Sequence, residues 1–355
     1  MPRVLVTGAT GFIGTHLVRD LVEGADEVVC LVRSTSNRQA LEPLGVEFIE
    51  GDVSDPASLD RAVEGCQVVY HLAGLTMALA TADLHRVNEG GTRNVAAACA
   101  RKSTPPVLLS VSSIAAAGPV SNGRPAVESD SPAPVSHYGR SKLAGERAVA
   151  EFADRVPTTI VRPPIVFGEG DRASLPVFAS VQRFAIHLSP LWRPKPFSFI
   201  HAADLARALT AAAKSGSRLP GATSAQVNGP LDDDAGVYFA AADEVMTFAE
   251  FGRRVGHALG LTRTTVIPNA APAVWLVALG SEMVAQVRRR PMIFGFDKAR
   301  EAVAGPWVCS SEALKRDTGW RPAKSLDERL AETAAWYVEQ GWLPKPGLLA
   351  RLARR

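Results

Sequence analysis

The chain has 355 residues, 46% of them hydrophobic, and sets 39 Lys and Arg against 36 Asp and Glu for a formal net charge of +3. That length and apolar content suit one large α/β domain, or a nucleotide domain with a smaller partner, and exclude disorder on a large scale. The even charge, without a basic stripe interleaved with aromatics, gives no argument for nucleic acid.

In chain order, "RVLVTG" reads as a strand that has reached a glycine turn by residue 8, so no secretory leader is expected and a cytoplasmic protein is. A helix is predicted from about Ile13 to Glu23, followed by the strands "EVVCLVR" and "VEFIEGD", a helix near Pro56 to Val63, and the strand "QVVYHLAG". The rhythm continues through "VNEGGTRNVAAACARK", "PVLLSVSS", the helix opened by "HYGRSKLAGERAVAEFA", and "TTIVRPPIVFG". Strands alternating with helices, several of the strands apolar on both faces, predict a doubly wound parallel sheet of the Rossmann type.

Two stretches lack the rhythm, 118–136 and 169–196, and are expected to be irregular lids. After residue 229 a strand and a helix are followed by a helical region to about Leu343. The expected division is a nucleotide-binding domain over 1–168, to which 197–230 returns, and a substrate-binding domain from 169–196 and 231–345. A basic tail, 346–355, follows. Cys30, Cys66, Cys99 and Cys309 show no CxxC or CxxH spacing, which argues for a reducing compartment and against a structural metal. The apolar run 270–280 is too short to span a bilayer; 270–287 is open to covering substrate, packing in the core or touching a membrane. Arg288, Arg289, Arg290 and the terminal "RLARR" read as solvated ends, with contact to an anionic membrane surface as the alternative.

"VLVTGATGFIG" places Gly8, Gly11 and Gly14 between the first strand and the first helix, where a dinucleotide pyrophosphate meets backbone N–H groups and a helix N-terminus. The second strand ends in Val32 and Arg33 where NAD binders carry an acid for the ribose 2′-hydroxyl. A guanidinium there suits a 2′-phosphate instead, so NADP(H) is the expected cofactor, with NAD(H) the alternative. Asp52 and Val53 end the third strand, where an Asp can accept from the adenine amino group; Asp55 or Ser54 reads as the cap of the next helix. Leu72, Ala73 and Gly74 end the fourth strand with room for a cofactor across the strand tips. In "SHYGRSK", Tyr138 and Lys142 share a helix face and can reach one bound molecule.

In their order, "TGATGFIG", "GDV", "HLAG", "VNEGGTRNV", "SVSSIAAAG", "YGRSK", "RPPIVFGEGD" and "FIHAADLARA" resemble the extended class of the short-chain dehydrogenase/reductase superfamily over nearly the whole chain. The resemblance implies that Tyr138 and Lys142 are the catalytic pair, with Ser113 as the hydroxyl beside them and Ser112 as the alternative. It implies a mainly structural Asn88, a nicotinamide-side segment of Pro163, Ile165 and Val166, and a phosphate turn completed by Thr10, Phe12 and Ile13. The chemistry is then hydride transfer to or from a carbonyl carbon: Tyr138 gives or takes the proton, Lys142 lowers its pKa, and Ser113 holds the oxygen. His201 and Asp204 are expected to be structural, Asp204 starting a helix and His201 satisfying buried polar groups.

Departures from the family's patterns narrow the reaction. Ile114 and Ala115 stand where sugar-nucleotide dehydratases carry an Asp-Glu pair, and Phe197 stands where nucleotide-sugar epimerases carry a diphosphate-holding arginine, which leaves Arg193 or Lys195 as substitutes. Phe178, Phe184, Ile186, Leu188, Leu191, Trp192, Trp275, Leu276 and Val277 form an apolar set that reads most simply as core and, as the alternative, covers a cleft suited to a hydrophobic ketone or alcohol. The expected function is an NADP(H)-dependent oxidoreductase of the hydroxysteroid dehydrogenase and dihydroflavonol reductase branch, acting on a small-molecule substrate, with a homodimer left open. A nucleotide-sugar epimerase and a non-catalytic NADP-binding regulatory or assembly protein are the alternatives.

Overall fold

Apolar residues on both faces of the early strands produce a sheet covered on both sides. In the computed structural model, which describes residues 1–353 except 122, 191–193, 222–234 and 293, the strands are β1 (Arg3–Thr7), β2 (Glu27–Val32), β3 (Glu47–Glu50), β4 (Val68–His71), β5 (Val107–Val111) and β6 (Thr158–Arg162). Then come β7 (Ile165–Phe167), β8 (Ile186–Pro190), β9 (Pro196–His201), β10 (Val237–Phe239), β11 (Val245–Thr247) and β12 (Thr265–Asn269). The main sheet is parallel in the order β10-β6-β5-β4-β1-β2-β3, so the winding reverses between β1 and β4, the place where doubly wound folds bind ligands.

Helices α1 (Phe12–Glu23), α2 (Pro56–Ala62), α3 (Thr81–His85), α4 (Thr92–Ala100), α5 (Ile114–Ala117), α6 (His137–Ala150), α7 (Leu175–Phe184) and α8 (Ala202–Ser215) alternate with the strands. Beyond them run α9 (Phe248–Ala258), α10 (Ala271–Arg288), α11 (Phe296–Ala304), α12 (Glu312–Thr318), α13 (Leu326–Glu339) and α14 (Leu348–Leu352). The two-residue period of β1 sends Val4 and Val6 into one core with Leu17 of α1 and Leu205 of α8. Leu5 joins the opposite core, with Leu59 of α2, Val95 of α4 and Val149 of α6. A third core gathers Phe167, Phe178, Phe199, Phe251 and Tyr337 around a sheet ordered β11-β9-β7.

Three expectations are corrected. Residues 169–196 are not irregular throughout, since they contain α7 and β8. The Asp171 carboxylate accepts from the N–H groups of Ala173 and Ser174 (2.7 and 3.0 Å) just ahead of α7, and β8 pairs with β12 from Ile186↔Thr265 to Pro190↔Asn269. That strand partner lies far along the chain, where no local pattern points to it. The tail is not a solvated end: α14 docks, with Gly347 N–H donating to Arg183 O and Thr262 N–H to Ala353 O. Val237–Phe239, within the range assigned to the substrate side, is the edge strand of the main sheet. Leu191, Trp192, Arg193 and the last two arginines of "RLARR" lie outside the described residues.

Two buried ion pairs tie the layers together. Arg329 of α13 holds Asp204 of α8 by Nε–Oδ2 (2.8 Å) and Nη2–Oδ1 (2.6 Å), while Ala323 N–H also donates to Asp204 Oδ1. Arg162, at the end of β6, grips Glu146 of α6 in the same bidentate way, 2.9 and 2.6 Å, with both side chains almost fully buried. Removing one partner of such a pair strands a buried charge. Glu146→Gln should therefore cost about 3 kcal/mol, the low end of that range, because Glu128 also favours the charge on Arg162. In urea denaturation the double variant Glu146→Leu/Arg162→Met should recover most of the loss, and an unchanged midpoint for Glu146→Gln would contradict the assignment.

Candidate active site

The turn from β1 into α1 is built without side chains where it passes under β4. Gly8 has φ +72°, and a Cβ there would stand 2.7 Å from the backbone nitrogen of Ala73. Gly11 caps α1 with no side-chain acceptor, so the first N–H groups of the helix are left for an outside partner. Thr10, Phe12 and Ile13 are half-buried around this turn, Gly14 is buried beneath it, and Leu72, Ala73 and Gly74 continue β4 past it. An uncapped helix start over a glycine turn fits a dinucleotide pyrophosphate.

Arg33 directly follows β2 and is exposed; its backbone exchanges hydrogen bonds with Ser36, and among the described residues its side chain makes no ion pair. Asp52 Oδ1 accepts from Ser54 N–H at 2.8 Å, which fixes the carboxylate beyond β3, and Val53 is buried with its carbonyl taken by Asn94. Asp55 caps α2, accepting from Ala57 N–H, as expected of it.

The catalytic-helix candidate, α6, lies very close to its neighbours. A Cβ on Gly139 would run into Ala115 O, and one on Gly145 into Asn88 O. Ser136 caps the helix by accepting from Gly139 N–H (2.8 Å). This closeness carries Lys142 Nζ to the carbonyl of Val111 at the tip of β5 (2.7 Å). It also brings the Tyr138 phenol to the Ser113 hydroxyl, which caps α5 by accepting from Ala115 N–H. Ser113, Tyr138 and Lys142 thus meet at the carboxyl end of β5. Ser112, the alternative hydroxyl, is buried, and its Oγ has no hydrogen-bond partner among the described residues.

Asn88 braces this corner. Its side-chain carbonyl accepts from Leu75 N–H (2.7 Å), and its amide donates to Leu75 O and to Ser141 Oγ (both 2.9 Å), joining the β4 exit to α6. Residues Arg86–Gly91 form a π-helical turn that sets Asn88 at this point. Behind it, Thr92 Oγ1 donates to Asn88 O and so must accept from His71 Nε2; Nδ1 then accepts from Thr7 Oγ1 (2.8 Å). Burial, with Lys142 adding to it, takes His71 down to about 3, so it is neutral at every ordinary pH. Pro163 accepts from Ile114 N–H, while Ile165 and Val166 lie half-buried on β7.

Two residues that no motif marked complete the site. Asp297, near the start of α11, accepts from the N–H groups of His137 and Tyr138 (2.7 and 2.9 Å) at the positive end of α6. Lys298 Nζ lies 5.2 Å from the centroid of the Tyr138 ring and donates to Glu301 Oε2 at 2.7 Å, while Glu301 Oε1 accepts from Ser136 Oγ. Burial raises the Tyr138 phenol above its ordinary value; the Lys298 ammonium and the Ser113 hydroxyl pull it back, and Glu301 adds to the rise. Burial brings Lys142 down to about 8 against the pull of Glu146. Lys298 is therefore a cation beside the Tyr138 ring, in addition to the Lys142 that shares its helix face. "FDKAREA" matches no pattern, and only the folded chain reveals the contact.

His201 is structural: its Nδ1 accepts from Ala203 N–H to cap α8, and its Nε2 lies 3.1 Å from Glu169 Oε2. Burial opposes charge on Glu169, but His201, a backbone N–H and His16 together hold the carboxyl at about 2. The apolar set is divided. Phe178 is core against Tyr337 and Phe251, Trp275 packs on Phe296, and Phe184, Leu188, Leu276 and Val277 are exposed. Phe197 is buried against Phe248, and Lys195 Nζ is engaged by Val303 O.

A doubly wound sheet with this turn at its switch point and this triad on β5 and α6 defines an enzyme class, the NAD(P)-dependent dehydrogenases and reductases of the extended short-chain type. The sequence pattern of the NAD dependent epimerase/dehydratase family matches residues 4–224, and the chain belongs to that family. It is 31% identical to the ceramide reductase of Caulobacter vibrioides over 343 residues, 96% of each chain. It is 28% identical to the 2-alkyl-3-oxoalkanoate reductase of Stenotrophomonas maltophilia over 342 residues, 94% of this chain and 98% of that one. The UDP-glucose 4-epimerase of Thermus thermophilus, solved with NAD, shares the fold at a TM-score of 0.71 and 23% identity, covering 95% of this chain and 99% of its own.

A cation beside a phenol favours phenolate, so removing it raises the phenol's pKa. Lys298→Met should move the Tyr138 transition upward by about one pH unit in an ultraviolet phenolate titration, read as the difference from Tyr138→Phe. A transition that stays in place would show that Lys298 does not govern the proton.

Proposed function

We propose that the protein transfers a hydride between NADP(H) and the carbonyl or secondary alcohol of a hydrophobic substrate. The observation that carries this reading is the Tyr138 phenol on the Ser113 hydroxyl, with Lys142 at the same strand tip and no other acid or base provided at Ile114 and Ala115. When bound, the nicotinamide cofactor supplies or takes the hydride. Around it, the N–H groups at the start of α1 hold the pyrophosphate, Asp52 faces the adenine, and Arg33 pairs with the 2′-phosphate. Leu72, Ala73 and Gly74 floor the cleft, and Pro163, Ile165 and Val166 flank the nicotinamide.

In the reducing direction Tyr138 Oη gives its proton to the substrate oxygen while Ser113 Oγ orients that oxygen. Lys142 holds the nicotinamide ribose, a task suited to an ammonium already anchored on Val111 O. Lys298 keeps the phenol within reach of ionisation so that it can be reprotonated or can act as a base in reverse. The buried Phe197, in place of a clamp for a diphosphate, argues against a nucleotide-sugar substrate. Two reductases that match nearly the full chain, one of ceramide and one of 2-alkyl-3-oxoalkanoates, support an apolar oxo compound.

Purified protein with NADPH or NADP, long-chain oxo compounds, sterols, flavonoids and UDP-sugars, followed at the nicotinamide absorbance, tests the reading. Net cofactor oxidation or reduction is expected with an apolar member; interconversion of UDP-sugar epimers without net change would overturn it. Tyr138→Phe should keep fold and NADPH binding while cutting turnover by roughly 10²–10⁴; rates near those of the parent would remove Tyr138 from the chemistry. Arg33→Ala should weaken NADPH binding more than about tenfold, the loss of a charge-assisted phosphate pair, and leave NADH almost unchanged. Equal affinity of the parent for both cofactors would reject the assignment of Arg33.

A further inference from the structure

Helix α10 is apolar nearly all the way round, which a helix at a protein surface ordinarily is not. One side is occupied. Val274 and Ala278 are buried against α11, where they form a small core with Ala299, and Trp275 packs over Phe296 at 6.2 Å. Glu282, the helix's one acidic residue, lies toward α11 too, its Oε2 2.9 Å from where a Cβ on Gly295 would stand. The other side is open: Leu276, Val277, Leu279, Met283, Val284 and Val287 are exposed, from 39% at Val284 to 86% at Val287.

The surface extends beyond the helix. Strand β12 passes into α10 through Ala270, and its exposed Ile267 is the register partner of the exposed Leu188 on β8. Arginines stand at both ends. Arg288, Arg289 and Arg290 finish α10, exposed and without an ion pair among the described residues, and Arg253 and Arg263 line a groove at the start of β12. Over 265–290 three arginines face one glutamate, a net charge of +2. Among the described residues no helix is long and apolar enough to cross a membrane.

We propose that α10 lies in the plane of an anionic lipid bilayer, its open side sunk among the acyl chains and Arg288, Arg289 and Arg290 on headgroup phosphates. Exposed apolar side chains ending in unpaired cations match that interface in both respects. A second copy of the chain would match only one, because its own α10 and β12 offer no carboxylate but Glu282. The contact would sit one helix from the chemistry, since α11 both underlies α10 and, through Asp297 and Lys298, holds the start of α6.

The test is flotation of the full chain with vesicles of phosphatidylcholine alone or with about one-third phosphatidylglycerol, a method that needs no substrate and is independent of the proposed reaction. The parent should float with the anionic vesicles and lose most of that binding at high salt, as a screened headgroup attraction does. Leu276→Glu/Met283→Glu should bind at least tenfold more weakly while keeping its melting temperature. Arg288→Gln/Arg289→Gln/Arg290→Gln should level the difference between the two vesicle types. A parent that does not float, variants that float like the parent, or a dimer in sedimentation velocity that Leu276→Glu/Met283→Glu dissolves without any flotation would each overturn the proposal.

Discussion

The close seating of α6 is the constraint on which the rest of the site depends. Two backbone contacts, Gly139 over Ala115 and Gly145 over Asn88, let the helix approach nearer than any residue with a Cβ would allow. From that position an ammonium reaches the tip of β5 and a phenol reaches a serine on the next residue but one. Were the helix displaced outward by the width of a methyl group, Lys142 would lose its carbonyl and Tyr138 its hydroxyl. Packed interiors transmit such shifts because they have little void to absorb them.

Held that tightly, the helix is also reached from the far end of the chain. Asp297 meets the helix start 159 residues on from Tyr138, where the macrodipole favours an anion, and Lys298 and Glu301 set a balanced pair beside the phenol. The electrostatics of the site thus belong to both lobes. Lys142, depressed to about 8 by burial, is tied to the sheet at Val111 O, and Lys298 lies over the Tyr138 ring. Glu146 and Arg162 complete the arrangement from behind, so α6 is fixed by backbone contact in front, by an ion pair at its back, and by a carboxylate at its start.

What could be read along the chain follows the range of the interactions involved. The glycine turn and the cap at Asp55 act within a few residues of themselves or between neighbouring strands, so their residue types are local signatures, whereas Asn88, which reaches Ser141 of α6, was legible only through the family resemblance. The pairing of β8 with β12, the docking of α14 and the packing of Phe178 into the third core depend on partners distant in sequence. For that reason 169–196 reads as a loop when it is a helix and a strand. The apolar set from Phe178 to Val277, open between core and cleft in sequence, is divided among core, helix pair and open surface.

Alternating apolar runs and the glycine turn were enough for the doubly wound sheet, because each rests on backbone geometry that a short stretch of residues dictates; the grouping of Ser113, Tyr138 and Lys142 was legible only through the family resemblance, and their meeting depends on how closely α6 is seated. Which cation faces the phenol, what anchors the start of α6 and which side of α10 is left open were decided only by the tertiary structure. Electrostatics and burial depend on distances through space, and the fold brings Lys298 to Tyr138 across a separation that no spacing rule encodes.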